Sequence, residues 1–245
     1  MIKQVAVLIL AGALAFGTPP ALANDELSSD LADADAATKA LQSGRFSDAV
    51  EKADQIIKRF EKTKAADSVY DCTRSDSDTF VTLIGPAAAR KKGSDAGAVK
   101  TVAFISDDIC LAYFAKGFAL VHLNRRDEAL PNLEMAAAMG SGNAHYLNEL
   151  AEWHKNSRDW SKSLEFFTRA SKTIDMAVAL ADDNAVARRA LYALPCRVYR
   201  GIGFNLAELK RWDEARAALR ECLKLIPDDP ASKTGLTYIE QQRAK

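Results

Sequence analysis

The sequence has few aromatic residues, few turn residues and no excess of charge. Aromatic side chains make up 8% of the 245 residues, and the 12 glycines and 7 prolines are too few for a low-complexity or collagen-like chain. Basic and acidic residues both number 33, a balance that argues against binding nucleic acid through its phosphates. With 48% hydrophobic and 27% charged residues, the composition is that of a globular protein and excludes disordered and multispan membrane proteins.

The N-terminus has the layout of a secretory signal peptide. Lys3 precedes an apolar run from Val5 to Phe16, and small residues lead up to Ala23 before an acidic stretch begins. An uncleaved anchor is the alternative, but the apolar run is shorter than the roughly 20 residues that span a bilayer. The sequence therefore predicts a signal peptide over residues 1–23 and a mature domain, 24–245, that is periplasmic or secreted, with no later transmembrane segment.

Histidine and cysteine are also scarce, and no pattern of catalytic residues is present. The sequence has three histidines and four cysteines, without HExxH, CxxC or GxSxG. Gly140-Ser141-Gly142 is not a nucleophile elbow, and it lies where a repeat ends. We therefore expect no enzyme activity, no cofactor and no metal site.

Four short phrases resemble one another, at 44–49, 124–129, 158–163 and 210–215, each between two stretches of helical periodicity. Ala129 and Ser163, which close the second and third phrases, are 34 positions apart. A period of about 34 residues is that of a helix–turn–helix repeat unit. An ordinary helical bundle with accidental spacing is the alternative, and three good copies disfavour it.

The last copy resembles the tetratricopeptide repeat family most closely. It carries Tyr199, Ile202-Gly203 and Leu206, then Ala215, Leu219 and Pro227, at the spacing of that family. The resemblance implies an all-α, right-handed tetratricopeptide-like solenoid of helix hairpins. The expected hairpins span about 30–63, 110–143, 144–177 and 196–229.

Two interruptions and one extension depart from a regular array. An insert at about 64–109 is predicted to form a small α/β element, with strands at 68–73 and 99–105 and a helix at 77–92. An extra helix is predicted at about 183–194. A polar-faced helix at about 231–243 is expected to cap the solenoid, because the end of a repeat array must face water.

The four cysteines allow three disulfide pairings, and distance in the inferred fold favours Cys72–Cys110 with Cys196–Cys222. An exported protein meets oxidising conditions in which such bonds persist. Four reduced, buried thiols are the alternative.

The first helices of successive repeats line a concave groove, which solenoids use to bind partners. The groove face is predicted to carry the candidate partner-binding residues His145, Asn148 and Glu152 in the third repeat, and Arg197, Arg200 and Phe204 in the fourth. We expect a non-catalytic scaffold that binds another protein or peptide and no nucleic acid, with oligomerisation possible. The lysine–asparagine clamp that some family members use for a C-terminal carboxylate is lacking. Two alternatives stay open: an accessory subunit that binds a small molecule or envelope polymer through insert and groove, and a self-assembling structural protein.

Overall fold

The computed structural model describes residues 24–65, 68–72, 101–180 and 185–244. The predicted signal peptide (1–23) and the predicted insert helix (77–92) lie outside these residues. The described elements are, in chain order, α1 (Asn24–Gln42), α2 (Phe46–Thr63), β1 (Ser68–Cys72), β2 (Thr101–Ile105), α3 (Asp107–His122), α4 (Arg126–Met139), α5 (Ala144–Asn156), α6 (Trp160–Leu180), α7 (Ala185–Glu208), α8 (Trp212–Leu225) and α9 (Pro230–Arg243).

Eight of these helices pair into hairpins: α1 with α2, α3 with α4, α5 with α6, and α7 with α8. The same turn closes all four hairpins, with one residue at a φ between 59° and 70°: Gly44, Asn124, Arg158 and Lys210. Such a left-handed residue reverses the chain tightly at the end of a helix. The predicted all-α, helix-hairpin solenoid is confirmed, and its repeated phrases are these turns.

The spacing of apolar residues accounts for how the hairpins pack. In α2 the buried residues Ala49, Ala53, Ile56 and Phe60 recur every three or four positions, which places them on one helix face. The largest fully buried side chains include Leu133, Leu147, Leu150 and Phe167, from three successive helices. A continuous core therefore runs between the hairpins, as a solenoid requires.

The insert contributes a two-stranded parallel sheet. Ser68 pairs with Thr101 and Cys72 with Ile105, in an unbroken register. The strands lie within the two segments predicted from sequence, so the small inserted element is confirmed as far as its strands are concerned. Tyr70 and Ile105 pack against the main core, while Val69, Val102 and Phe104 on the opposite face are about half exposed.

The fourth hairpin begins earlier than the repeat pattern indicates. Residues 185–194, expected to form a separate helix, belong to the same helix as the first half of the last hairpin, and Pro195 lies inside it. A proline removes one backbone hydrogen bond from a helix and usually bends or ends it. Here Pro195 and Cys196 are both buried, and this burial holds the two parts together.

Buried polar contacts fix α7 against the third hairpin. Asn205 Nδ2 donates to Ser163 Oγ over 2.9 Å, and Ser163 Oγ donates to the Ala151 carbonyl over 2.9 Å. Farther along, the Tyr199 hydroxyl donates to Asp175 Oδ1 over 3.0 Å. Burial and this bond raise the pKa of Tyr199 to about 12. These contacts join α7 to the third hairpin.

Among the described residues, no helix has both the length and the apolar character to cross a bilayer.

Candidate partner-binding groove

The six predicted binding residues lie on two neighbouring helices. His145, Asn148 and Glu152 are on α5, and Arg197, Arg200 and Phe204 are on α7. Helices α5 and α9 both contact α7. Residues of all three helices line one depression.

A pocket of about 700 Å³ occupies this depression, within the range of sites for small ligands. Four of the six predicted residues line it: Glu152, Arg197, Arg200 and Phe204. We call it the C-terminal pocket. The residues that line it and were not predicted are Lys155, Gly201, Gly203, Ala207, Glu208, Leu219, Ala231, Thr234, Gly235, Tyr238 and Ile239.

The other two predicted residues lie outside the C-terminal pocket. Asn148 is fully buried and donates from Nδ2 to Glu149 Oε1 over 3.1 Å. His145 is exposed, and its ring centroid lies 6.1 Å from that of Phe114 on α3. Both residues therefore lie on α5 outside the pocket, and His145 lies beside the second hairpin.

The wall from α9 was missed because this helix was interpreted only as a cap. Five of its residues, Ala231, Thr234, Gly235, Tyr238 and Ile239, face the pocket. Their spacing of three or four positions is the signal that a second functional face was present. The polar remainder of α9 fits the capping role, so one helix serves both purposes.

Arg197 joins the α5 and α7 walls. Its Nη2 lies 2.9 Å from Glu149 Oε1, and its Nε lies 3.8 Å from Glu152 Oε1. Glu152 also pairs with Lys155 on its own helix. Burial raises the pKa of Glu149 above its ordinary value, although Arg197 draws it down. The positive charges of Arg197 and Lys155 are therefore balanced by the carboxylates of Glu149 and Glu152.

Arg200 joins the α7 and α9 walls. Its Nη1 donates to Asp229 Oδ1 over 2.6 Å, and Asp229 Oδ2 accepts from the Ser232 backbone N–H over 2.7 Å. Asp229 is the N-cap of α9, so its side chain holds both the arginine and the start of the helix. Burial alone raises the pKa of Asp229, but the Ser232 hydrogen bonds and Arg200 together hold it below its ordinary value.

Two half-exposed aromatic rings line the pocket, Phe204 from α7 and Tyr238 from α9, each 46% exposed. The Phe204 ring is held by Trp160, which is not among the pocket residues, and by Lys155, which is. Its centroid lies 5.7 Å from that of Trp160, nearly edge-on, and Lys155 Nζ lies 5.7 Å from it. A large apolar surface that is open to solvent yet held in place is typical of a recognition site.

The cysteines form the two pairs that the sequence favours. Cys72 is joined to Cys110 with their Cα atoms 6.3 Å apart, and Cys196 to Cys222 at 4.4 Å. The first pair links β1 to the start of α3, and the second links α7 to α8 at a position one helical turn before Arg200. In the part of the chain that the structure describes, the one grouping with metal-ligand spacing is Cys196, Cys222 and Asp229. Its sulfurs are taken up by the disulfide and its carboxylate by Arg200, so these atoms do not fit a metal ion.

Comparison with known proteins supports the repeat. The model of the tetratricopeptide repeat matches residues 196–229, the last hairpin that contributes the α7 wall. No curated protein sequence gives a significant match. The tetratricopeptide resemblance is confirmed, and that repeat is typical of scaffolds for protein–protein interaction.

Solved structures show the same fold at low sequence identity. The structure of PilF from Pseudomonas aeruginosa is similar with a TM-score of 0.54 and 13% identity, over 90% of this chain and 71% of that one. A mutant of MamA is similar with a TM-score of 0.52 and 15% identity, over 89% of this chain and 84% of that one. At these identities the likeness concerns the fold alone.

Proposed function

We propose that this protein is a non-catalytic scaffold that acts outside the cytoplasm and binds a segment of another protein in the C-terminal pocket. The observation that carries the proposal is the pair of rings, Phe204 from α7 and Tyr238 from α9, which are each 46% exposed and both line a cavity of about 700 Å³. Such a cavity has room for an apolar side chain and the few residues around it.

The charged groups of the pocket support a binding role rather than catalysis. Arg197, Lys155 and Glu152 are engaged with one another, and Arg200 is engaged with the N-cap of α9. A general acid or base needs an open approach to its substrate. These side chains instead hold three helices in register around an apolar floor.

Site-specific photo-crosslinking in the source cell tests the proposal. A benzophenone amino acid replaces Tyr238 in the pocket or, as the matched control, Met135 on α4, which is 37% exposed and is not among the pocket residues. We expect one crosslinked protein from position 238 that is absent from position 135. The added substitution Phe204→Ala should reduce it at least about fivefold, since a buried aromatic anchor contributes strongly to binding.

Capture of the same protein from both positions, or of no protein from position 238, would contradict binding in the pocket. A small molecule retained in native mass spectra of the purified chain would favour the accessory-subunit alternative.

Export has a separate test. The predicted signal peptide and the two cysteine pairs support a location in an oxidising compartment. We expect the chain purified from its source cells to begin at Asn24 and to carry no free thiol. A chain that begins at Met1 with four reactive thiols would contradict export.

A further inference from the structure

Three residues of α7 make the two ends of the C-terminal pocket differ in charge. Arg200, Phe204 and Glu208 all line it and are spaced four residues apart. Residues four apart lie on the same face of a helix, about 6 Å from one to the next. The pocket therefore presents a cation, an aromatic ring and an anion in a row along one side of α7.

Arg200 is held so that one edge of its guanidinium group stays available. Its hydrogen bonds within the described residues both come from Nη1, to Asp229 over 2.6 Å and to the Cys196 sulfur over 3.8 Å. The Nε and Nη2 donors, which have no partner among those residues, form the parallel pair that binds a carboxylate in a bidentate way. Asp229 binds Nη1 and caps α9 through its other oxygen, so this ion pair leaves the second edge of the guanidinium group unused.

Arg197, the other arginine of the pocket, already uses its Nε and Nη2 edge for carboxylates of this chain, which singles out Arg200. Arg197 lies between Glu149 and Glu152, and Lys155 pairs with Glu152. At the other end of the row Glu208 is exposed, and no ion pair joins it to any residue that the structure describes. Within the described residues, the pocket thus offers one unpaired arginine edge at one end and one unpaired carboxylate at the other.

The spacing of the row matches an extended peptide. In an extended chain alternate side chains point the same way, and each residue advances about 3.3 Å, so alternate residues are roughly 6.6 Å apart. A row with a step of about 6 Å on the helix is complementary to positions i, i+2 and i+4 of such a segment. A cavity of about 700 Å³ suits these few residues better than a second helix, which is about 10 Å across.

The geometry points to a specific ligand class, an inference that rests on the proposed function. The C-terminal pocket binds an extended segment with an acidic residue at Arg200, an apolar residue against the rings of Phe204 and Tyr238, and a basic residue at Glu208. Recognition therefore depends on opposite charges on the two sides of one apolar anchor.

Fluorescence anisotropy with synthetic peptides tests this inference on the full chain. Four labelled peptides share serine spacers and a central leucine and differ in the flanking charges: Asp-Ser-Leu-Ser-Lys, its reverse Lys-Ser-Leu-Ser-Asp, Asp-Ser-Leu-Ser-Asp and Lys-Ser-Leu-Ser-Lys. The two mixed-charge peptides represent the two directions in which a chain can run along the row. We expect at least one of them to bind about fivefold more tightly than either like-charged peptide.

A charge reversal in the protein supplies the decisive comparison. Glu208→Lys should shift the preference to the doubly acidic peptide, by a factor of at least about five in the ratio of dissociation constants. Glu51→Lys, at an exposed position of α2, makes the same change of charge away from the pocket and should leave the order of preference unchanged. Circular dichroism confirms that both variants keep their helix content.

Equal binding of all four peptides, an identical response to both lysine variants, or binding of none of the peptides would overturn the inference. The proposed function is judged separately, because a protein crosslinked from position 238 would still show a partner in the pocket. Failure of the peptides together with failure of that crosslink would overturn both.

Discussion

Asp229 both caps α9 and forms an ion pair with Arg200 of the pocket. Two substitutions separate the contributions of the cap and of the ion pair to stability. The Asp229 carboxylate accepts from the Ser232 N–H over 2.7 Å as an N-cap and binds Arg200 over 2.6 Å. Asparagine is as good an N-cap as aspartate but carries no charge. Asp229→Asn therefore removes the ion pair and keeps the cap, whereas Asp229→Ala removes both.

The structure sets the expected magnitudes. Losing an N-cap costs about 1 kcal/mol. The side chains of Arg200 and Asp229 are 33% and 9% exposed, so the arginine can turn toward water once its partner is gone. Loss of the Arg200–Asp229 ion pair should lower the free energy of unfolding by about 1 kcal/mol, which is toward the upper end of the range for ion pairs at a protein surface. We expect Asp229→Asn to lower the free energy of unfolding by about 1 kcal/mol and Asp229→Ala by about 2 kcal/mol.

Urea unfolding followed by circular dichroism measures both values, and its pH dependence checks the charge. Because the pKa of Asp229 is lowered in the folded chain, its carboxylate stabilises the fold above the unfolded pKa of about 3.9. That contribution is lost as the pH falls through the folded value. The wild type should therefore exceed Asp229→Asn at pH 6 and lose this advantage below about pH 4. Equal losses for Asn and Ala, or an advantage that persists in acid, would refute the reasoning.

Three further changes have defined outcomes. Gly201→Ala should lower the free energy of unfolding by about 3 kcal/mol, since the added Cβ would lie within 2.6 Å of ring atoms of the fully buried Phe167. An unchanged free energy in urea unfolding would mean that the ring can move aside. Lys210→Gly should raise stability by about 0.5 kcal/mol, since Lys210 has a φ of 59° that glycine adopts freely; a lower urea midpoint would contradict this. Replacing Cys196 and Cys222 together by alanine should lower the free energy of unfolding by about 3 kcal/mol, because the disulfide joins residues 26 positions apart and so closes a loop in the unfolded chain. An unchanged urea midpoint would mean that the disulfide does not restrict the unfolded chain.

The helices and their turns could be predicted from the sequence because each depends on local residues. A similar short phrase, such as the one that begins at Gly44 or at Lys210, marks the turn of every hairpin, and small residues recur where the helices cross. The spacing of the last copy, from Tyr199 to Pro227, was enough to identify the repeat. Local propensity and repeat spacing are the strongest signals that a single sequence carries.

The pocket itself could be predicted only in part. Arg200 and Phe204 were expected to face a groove, and both line the pocket. Tyr238 was missed because it lies on α9, whose approach to α7 depends on long-range packing. Asn148 has the right spacing on its helix but is fully buried, and a helix position alone does not reveal what covers it. The continuous helix through Pro195 was missed for the same reason, since burial outweighs the helix-breaking tendency of proline.

Hydrogen exchange measured with and without the crosslinked partner tests the central claim most directly. If a protein segment occupies the C-terminal pocket, backbone amides of α7 from Arg197 to Glu208 and of α9 from Ala231 to Ile239 should exchange more slowly in the complex, while those of α2 and α4 stay unchanged. Slower exchange confined to β1 and β2, with α7 and α9 unaffected, would contradict the claim and would place the binding surface on the insert.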